Sequence, residues 1–190
     1  MAGSGSSNKR WLIVLEGLPG SGKTGHLMYF SKHYNTVKEI LSKVPNKPNE
    51  MFFLRNEIKK YSLATKPGIT IMDRNYVSSL AFNFSKLAGL DPTFFSVVSW
   101  YFKSMASGEI WKPDCYVYIK TPVSVSISRK RRKQFHKVWS SKKKLRLMEL
   151  FYGLYFSVVE RNILTIDGRN SIAVQRRLIS RFLKSLNKEE

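Results

Sequence analysis

The sequence is poor in acidic residues and in cysteine, and it has no long apolar run. Only 13 Asp and Glu face 33 Lys and Arg, so the formal net charge is +20. The single cysteine, Cys115, excludes an internal disulfide and suits a reducing compartment. The densest apolar stretch, 94–102, is far shorter than the roughly 20 residues of a membrane span, and it predicts a buried helix.

The amino-terminal segment is small and polar, without the apolar segment of a secretory signal. We therefore expect residues 1–9 to form a disordered tail, residues 10–190 to form one domain, and the protein to be cytoplasmic. The hydrophobic fraction of 43% is enough for a buried core. The three histidines are scattered, so we expect surface or helix positions for them and no metal-ligand cluster.

Short β-type apolar runs alternate with helical patterns along the chain. The predicted strands are 11–15, 36–40, 69–72, 115–119 and 163–166. The predicted helices are 24–34, 50–64, 77–88, 92–106, 124–159 and 171–186. This alternation predicts an α/β fold with a five-stranded parallel sheet covered by helices on both faces.

A complete G-x-x-x-x-G-K-[ST] motif lies between the first predicted strand and the first predicted helix. It consists of Gly17, Leu18, Pro19, Gly20, Ser21, Gly22, Lys23 and Thr24. Such a loop turns its backbone N–H groups toward phosphate, and the following helix adds its positive end. We expect Lys23 at the β- and γ-phosphates of ATP and Thr24 at Mg²⁺. The motif thus predicts a P-loop NTPase-type three-layer sandwich. A glycine-rich turn without a ligand, or nucleotide binding without catalysis, stays open.

Two charged residues close the third predicted strand. Ligands of open α/β sheets lie at the carboxyl ends of the strands. Asp73 is therefore placed to hold Mg²⁺, and Arg74 to hold an acceptor phosphate. A surface ion pair at the end of a strand is the alternative.

A very basic stretch at about 129–146 follows the fourth predicted strand. An arginine that closes over a transferred phosphoryl group stabilises its negative charge. The candidates for this role are Arg129, Arg131 and Arg132. For most residues of the stretch, a solvated basic helix face explains the pattern, and the sequence does not say which arginine points inward.

Four segments, in this order, resemble the thymidylate kinase and deoxynucleoside kinase group of P-loop kinases. They are 15–24, 51–56, 72–82 and 113–122, and the resemblance runs from about Trp11 to Phe182. It implies a basic helical lid at about 129–146 and an adenine-side loop at 167–171.

The resemblance also assigns roles on the acceptor side. It implies that Phe53 stacks on the acceptor base, that Arg74 and Ser78 bind the acceptor, and that Asn83 lies at a base-reading position. Glu39 would be the carboxylate near the acceptor hydroxyl, which must lose its proton during transfer. A plain surface glutamate is an equally good interpretation of Glu39.

Two positions depart from the pattern of thymidylate kinases. Leu18 and Pro19 replace an Asp inside the P-loop, and Glu57 replaces an Arg after the Phe53 segment. An acid there repels a nucleotide phosphate unless a neighbouring cation, Arg55 or Lys59, offsets it.

These patterns lead to two functional hypotheses. The first is ATP-dependent phosphoryl transfer to a nucleoside or nucleoside monophosphate, with dTMP to dTDP as the best guess. The second is a nucleic-acid-associated P-loop protein, either a polynucleotide-end kinase or a kinase-derived ribonucleoprotein component, because +20 attracts polyanions. Adaptation of the charge for solubility alone is a third interpretation. Dimers are common in the resembled group, and the stretch 94–102 is aromatic enough to form a homodimer interface.

Overall fold

A five-stranded parallel sheet forms the centre of the computed structural model, which describes residues 9–39, 50–87, 91–129, 141–159 and 162–186. The strands are β1 (Arg10–Glu16), β2 (Asn35–Val37), β3 (Gly68–Asp73), β4 (Cys115–Lys120) and β5 (Ile163–Asp167). Their order is β2-β3-β1-β4-β5, and every pair is parallel. The order places the carboxyl ends of β1 and β3 side by side, with Leu15 opposite Asp73.

Within the described residues, seven α-helices cover the two faces of the sheet. They are α1 (Lys23–Phe30), α2 (Glu50–Leu63), α3 (Tyr76–Phe84), α4 (Thr93–Ala106), α5 (Val123–Arg129), α6 (Lys142–Leu154) and α7 (Ile172–Leu186). A π-helical turn, Tyr155–Val159, continues α6.

The sequence of β1 explains the three layers. Leu12 and Val14 pack toward the helices that include α2, α3 and α6, whereas Ile13 and Leu15 pack toward α1 and α7. A central parallel strand buried on both faces needs such a continuous apolar run. The predicted α/β fold, with its five-stranded parallel sheet and helices on both faces, is confirmed.

The predicted single helix 124–159 is wrong. α5 ends at Arg129, and Ser141 has an extended backbone just before α6 begins. Its side-chain oxygen accepts a hydrogen bond from the backbone N–H of Lys144 at 3.3 Å, so Ser141 is the N-cap of a separate helix. Arg131 and Arg132 lie outside the described residues, as does most of the predicted tail.

The apolar stretch 94–102 forms part of α4, but it is not a buried helix as predicted. Val97 is buried against the core, whereas Phe95 is 65% and Phe102 64% exposed. The helix is amphipathic, and its outer face is aromatic. Among the residues that the structure describes, no helix combines the length and the apolar character that crossing a membrane requires.

Candidate active site

The phosphate loop occupies the turn between β1 and α1, and two of its glycines are required by its geometry. Gly17 has φ +140°, and a Cβ built on it would lie 2.5 Å from the carbonyl oxygen of Ile119. Gly22 has φ +101° at the N-cap of α1. Only glycine adopts such backbone conformations without strain. The loop therefore packs closely against the backbone of β4 and ends directly at the positive end of a helix.

Lys23 is buried beneath the loop and held by it. Its Nζ donates hydrogen bonds to the carbonyl oxygens of Gly17 and Leu18, at 2.7 and 3.0 Å, and to Oγ of Ser21 at 3.0 Å. Burial and, to a smaller extent, the nearby Arg74 guanidinium together lower the pKa of Lys23 to about 7, although neighbouring carboxylates raise it. A phosphate beside this ammonium would supply the anion that the loop itself lacks.

Thr24 and Asp73 meet where α1 begins and β3 ends. The Thr24 hydroxyl donates to Oδ2 of Asp73 at 3.2 Å, and Oδ1 of this buried carboxylate has no hydrogen-bond partner. A hydroxyl and a carboxylate are the hard oxygen ligands that Mg²⁺ takes in nucleotide sites, so the pair fits this ion. No group of three or more His, Cys, Asp or Glu able to hold a metal occurs in the described part of the chain. The protein would therefore supply only a few of the Mg²⁺ ligands, which is usual for this ion.

Arg74 follows Asp73 and turns back over the phosphate loop. Its Nη1 donates to Oγ of Ser78 at 2.8 Å and to the carbonyl oxygen of Gly17 at 3.4 Å. Its φ of +63° is left-handed, which is uncommon for a residue with a side chain. Asp73 is buried and Arg74 is partly buried, so the surface ion pair considered from the sequence is not what the structure contains.

The buried carboxylate of Glu16 ties the surrounding elements together. It accepts hydrogen bonds from the backbone N–H of Asn75 at 3.0 Å, from Ser78 Oγ at 2.6 Å and from Tyr152 OH at 3.1 Å. The strand β1, the start of α3 and the helix α6 thus converge on one side chain. Tyr152 lies 136 positions from Glu16 in the sequence, and no local pattern indicates that the two side chains meet.

Glu39 lies beside Arg74, and its predicted role near an acceptor hydroxyl stays a prediction. Its Oε2 is 3.9 Å from Nε of Arg74 and 4.0 Å from Nζ of Lys60, and its side chain is 29% exposed. The interpretation of Glu39 as a plain surface residue therefore does not fit its position. It faces the same partly buried space as the guanidinium.

The charge of Glu57 is offset by a different cation from those considered. Arg55 and Lys59 are exposed, whereas the buried Lys60 contacts Glu57 Oε1 at 3.2 Å. Burial raises the pKa of Glu57 to about 7 against the opposing effect of Lys60. Burial alone lowers the pKa of Lys60, but Glu57 and Glu39 outweigh it and raise that pKa.

Phe53 and Asn83, which are predicted to contact the acceptor base, both contact neighbouring residues of their own helices. Phe53 is partly buried on α2, where its ring packs edge-to-face on Phe52 with centroids 5.4 Å apart. Asn83 is buried on α3, and its Nδ2 donates to the carbonyl oxygen of Ser79 at 2.9 Å. Their roles toward a base remain predictions.

The loop 167–171 after β5 is fastened from several sides. The backbone N–H of Gly168 donates to the Lys120 carbonyl at 2.8 Å, and Nη2 of Arg129 donates to the Gly168 carbonyl at 2.9 Å. Gln175 Nε2 donates to the carbonyls of Asn170 and Gly168 at 2.7 and 3.3 Å. Arg129, one of the three predicted lid arginines, is thus bound to the predicted adenine-side loop.

A buried histidine extends this link to the phosphate loop. His26 on α1 lies with Nε2 2.8 Å from Oε1 of Gln175. Because the Gln175 amide nitrogen already donates to carbonyls, its oxygen is the acceptor and His26 Nε2 carries the proton. Burial lowers the pKa of His26, which keeps it neutral at pH 7. His26 matches the expected helix position, and its partner was not evident from the sequence.

Comparison with family models finds no match, and comparison with curated protein sequences finds none. Solved structures of deoxyadenosine kinase from M. mycoides share the fold. The structure with bound dATP is 19% identical, with 90% of this chain and 98% of that chain covered and a TM-score of 0.72. The structures with dCMP and dCDP and with dCTP are 19% and 18% identical, each covering 92% of this chain and 99% of that chain with a TM-score of 0.75. The predicted resemblance is thus confirmed in its fold.

Proposed function

We propose that the protein is a nucleoside or nucleotide kinase that transfers the γ-phosphate of MgATP to a nucleoside or nucleoside monophosphate. The observation that carries this proposal is the convergence of Lys23, Thr24, Asp73 and Arg74 around one phosphate loop. The structural neighbours are deoxyadenosine kinases with bound deoxynucleotides, which favours a deoxynucleoside-type acceptor. A thymidine or thymidylate acceptor, with dTMP converted to dTDP, stays the best guess from the sequence.

Binding and orientation account for most of the catalysis in such a site. The loop N–H groups and Lys23 hold the ATP phosphates, and Thr24 and Asp73 would hold Mg²⁺. Held there, Mg²⁺ would supply positive charge that offsets the charge of the phosphate oxygens. Arg74 faces the same loop from the acceptor side, where its guanidinium orients the acceptor and offsets negative charge on the transferred group.

Glu39 is the proposed general base of the transfer reaction. A bond forms between the acceptor oxygen and Pγ, while the bond from Pγ to the leaving oxygen of ADP breaks. A nucleoside hydroxyl must also release its proton, and the Glu39 carboxylate beside Arg74 takes up this proton. An acceptor phosphate is already ionised and needs no such base. The candidates for closing over the γ-phosphate remain Arg129, Arg131 and Arg132, of which Arg129 is bound to the Gly168 carbonyl.

The test is ADP production from MgATP with a panel of deoxynucleosides, ribonucleosides and their monophosphates, including dTMP. We expect turnover with one small acceptor, loss of turnover in Lys23→Ala, and an unchanged circular dichroism spectrum. Full activity of Lys23→Ala, or ATP binding without turnover on any acceptor, would reject the kinase assignment.

A second candidate function, association with nucleic acid, is favoured by one surface. Helices α1 and α7 lie on the same face of the sheet, and neither contains an acidic residue. Arg177, Arg181 and Lys184 are exposed on α7, and the Arg176 guanidinium lies 4.3 Å from the ring centroid of the 41% exposed Tyr29. Cations beside an exposed aromatic ring suit a single strand, whose backbone is anionic and whose bases stack.

Paired triple variants test this surface by anisotropy of a labelled single-stranded oligonucleotide at several salt concentrations. Arg177→Gln/Arg181→Gln/Lys184→Gln should weaken binding and reduce the salt slope by about 2. Arg55→Gln/Lys59→Gln/Lys66→Gln removes the same charge from exposed positions on and just after α2, on the other face of the sheet, and should have little effect. Equal losses in both variants would mean that only the total charge matters, and would reject this surface.

A further inference from the structure

The buried ammonium of Lys60 joins three segments that are separate in the sequence. Its Nζ donates to the Arg74 carbonyl oxygen at 2.8 Å and to Glu57 Oε1 at 3.2 Å, and it lies 4.0 Å from Glu39 Oε2. Lys60 is 0% exposed. Two of its three protons serve these hydrogen bonds, whereas the Glu39 carboxylate at 4.0 Å is attracted by charge alone. One point charge therefore holds the end of β3, the helix α2 and the segment after β2 together.

The bond to the Arg74 carbonyl acts on an unusual piece of backbone. Arg74 is the one non-glycine residue of the described chain with a positive φ, +63°. Such conformations persist only when surrounding contacts determine them. The Lys60 bond fixes the carbonyl of Arg74, and the hydrogen bond of the Arg74 N–H to the Leu15 carbonyl at 3.0 Å fixes the other side of the same residue. The guanidinium then starts from a defined main chain as it reaches Ser78 and Gly17.

The same ammonium sets the position of Glu39. The Oε2 atom of this carboxylate lies between two cations, 4.0 Å from Lys60 and 3.9 Å from Arg74. Without Lys60, Glu39 would pair with Arg74 alone and draw the guanidinium toward itself. With Lys60 present, the attraction on Glu39 is shared, and Arg74 keeps its bond to Ser78 Oγ at 2.8 Å.

We propose that Lys60 is a positioning residue for the acceptor side of the site, which it acts on through the backbone of Arg74 and the carboxylate of Glu39. This role rests on the proposed kinase function. A purely structural ion pair between Lys60 and Glu57 would stabilise α2 and would not affect the kcat or KM for the acceptor. The proposed role also differs from that of Lys23, which serves the ATP phosphates.

Three variants of the full chain separate these roles. Lys60→Met removes the ammonium and keeps an unbranched side chain. Glu57→Leu/Lys60→Met removes both partners of the buried pair, so that no unpaired carboxylate remains. Lys59→Met is the matched control, because Lys59 is the adjacent lysine and is exposed. For each variant we would measure Tm, the Kd of MgATP without acceptor, and kcat and KM for the acceptor found with the wild type.

Lys60→Met should lower kcat/KM for the acceptor by roughly 10- to 100-fold, as small displacements of a positioning group do. Its Kd for MgATP should change by less than about twofold, because the ATP side has separate contacts. The double variant should regain most of the lost Tm while its acceptor efficiency stays low. Lys59→Met should match the wild type in every measurement.

Recovery of acceptor efficiency together with Tm in the double variant would overturn the proposal, and so would an equal loss of ATP affinity. If Lys60→Met does not fold, the double variant decides alone: full acceptor efficiency overturns the role, and a selective loss supports it. Absence of turnover in the wild type is a different outcome. It would reject the kinase function itself, and the positioning role with it.

Discussion

The Nζ of Lys23 donates a 2.7 Å hydrogen bond to the carbonyl oxygen of Gly17, so the lysine of the phosphate loop is bound by the main chain of its own loop. Carbonyl dipoles replace only part of the hydration that burial removes, and the pKa of Lys23 falls to about 7. A nucleotide phosphate would add a full negative charge beside it and raise this pKa again. Nucleotide binding and proton uptake at Lys23 are therefore linked.

ATP affinity should fall as pH rises above about 7. Binding at pH 8 should take up a proton at Lys23, and one linked proton changes affinity by at most about tenfold per pH unit. Titration calorimetry in two buffers of different ionisation enthalpy measures this uptake. Equal binding enthalpies in the two buffers at pH 8 would contradict the linkage.

The protein alone should become more stable through the same pH range. The pKa of Lys23 is lowered from 10.5 to about 7, so the unfolded chain binds more protons between these values and the free energy of unfolding rises with pH. Urea denaturation at pH 7 and pH 9 checks the direction. Lys23→Met, which cannot titrate, should lose most of the rise, and an unchanged rise in this variant would assign it to other groups.

Thr24→Val should reduce kcat by roughly 100-fold, which is typical for the loss of one group that stabilises charge in the transition state. The hydroxyl lies 3.2 Å from Asp73 Oδ2, and both oxygens fit Mg²⁺. A magnesium titration of turnover should show a higher requirement in Thr24→Val and in Asp73→Asn. Thr24→Ser retains the hydroxyl and should retain activity. If Thr24→Val and Thr24→Ser behaved alike, the hydroxyl would have no role in binding the ion.

Gln175→Leu should destabilise the protein by about 1–3 kcal/mol, because it leaves Nε2 of the buried His26 without its hydrogen bond and also removes the bond to the Asn170 carbonyl. It should also raise the KM for ATP and leave the KM for the acceptor unchanged, because Gln175 holds the loop 167–171. Thermal denaturation and steady-state kinetics measure the two effects. Lys184→Gln, an exposed change on the same helix, is the control. A changed KM for the acceptor with an unchanged KM for ATP would contradict the assignment of this loop to the ATP side.

Gly17→Ala and Gly25→Ala should have opposite effects on stability. A Cβ at Gly17 meets the Ile119 carbonyl at 2.5 Å on a backbone with φ +140°, so we expect a loss above about 2 kcal/mol. A Cβ at Gly25, within α1, meets nothing within 4 Å, and the helix should gain about 0.5–1 kcal/mol. Urea denaturation compares them. A gain in Gly17→Ala would mean that the loop moves freely away from β4.

The sequence was sufficient for the order of the strands along the chain and for the prediction that Lys23, Thr24 and Asp73 lie around one loop. A local motif fixes Lys23 and Thr24 relative to one strand and one helix, and the end of β3 brings Asp73 beside them. Alternation of apolar strands and helices settled the layers because a parallel sheet buried on both faces has few other solutions.

The acceptor side could not be predicted in the same way, because its contacts join residues that lie far apart in the sequence. Tyr152 reaches Glu16 across 136 positions. On the predicted ATP side, the contact of Gln175 with His26 spans 149 positions and could not be predicted for the same reason. The burial of Lys60 could not be predicted from the sequence for another reason. It stands next to Lys59 in the sequence, and only the packing of α2 decides which of the two lysines is buried. The N-cap at Ser141 was overlooked because the basic pattern continues on both sides of it.

The aromatic face of α4 has a consequence for how molecules of this protein meet. Phe95 and Phe102 form an exposed apolar patch that favours contact between molecules at short range. Each molecule carries a net charge of +20, and several of its few carboxylates are buried in the site. Long-range repulsion should keep such particles apart in dilute buffer. At about 1 M salt the screening length falls to about 3 Å, and short-range attraction between the patches takes over. Added salt should therefore lower the osmotic second virial coefficient of this protein, so that ionic strength decides whether its molecules repel or cohere.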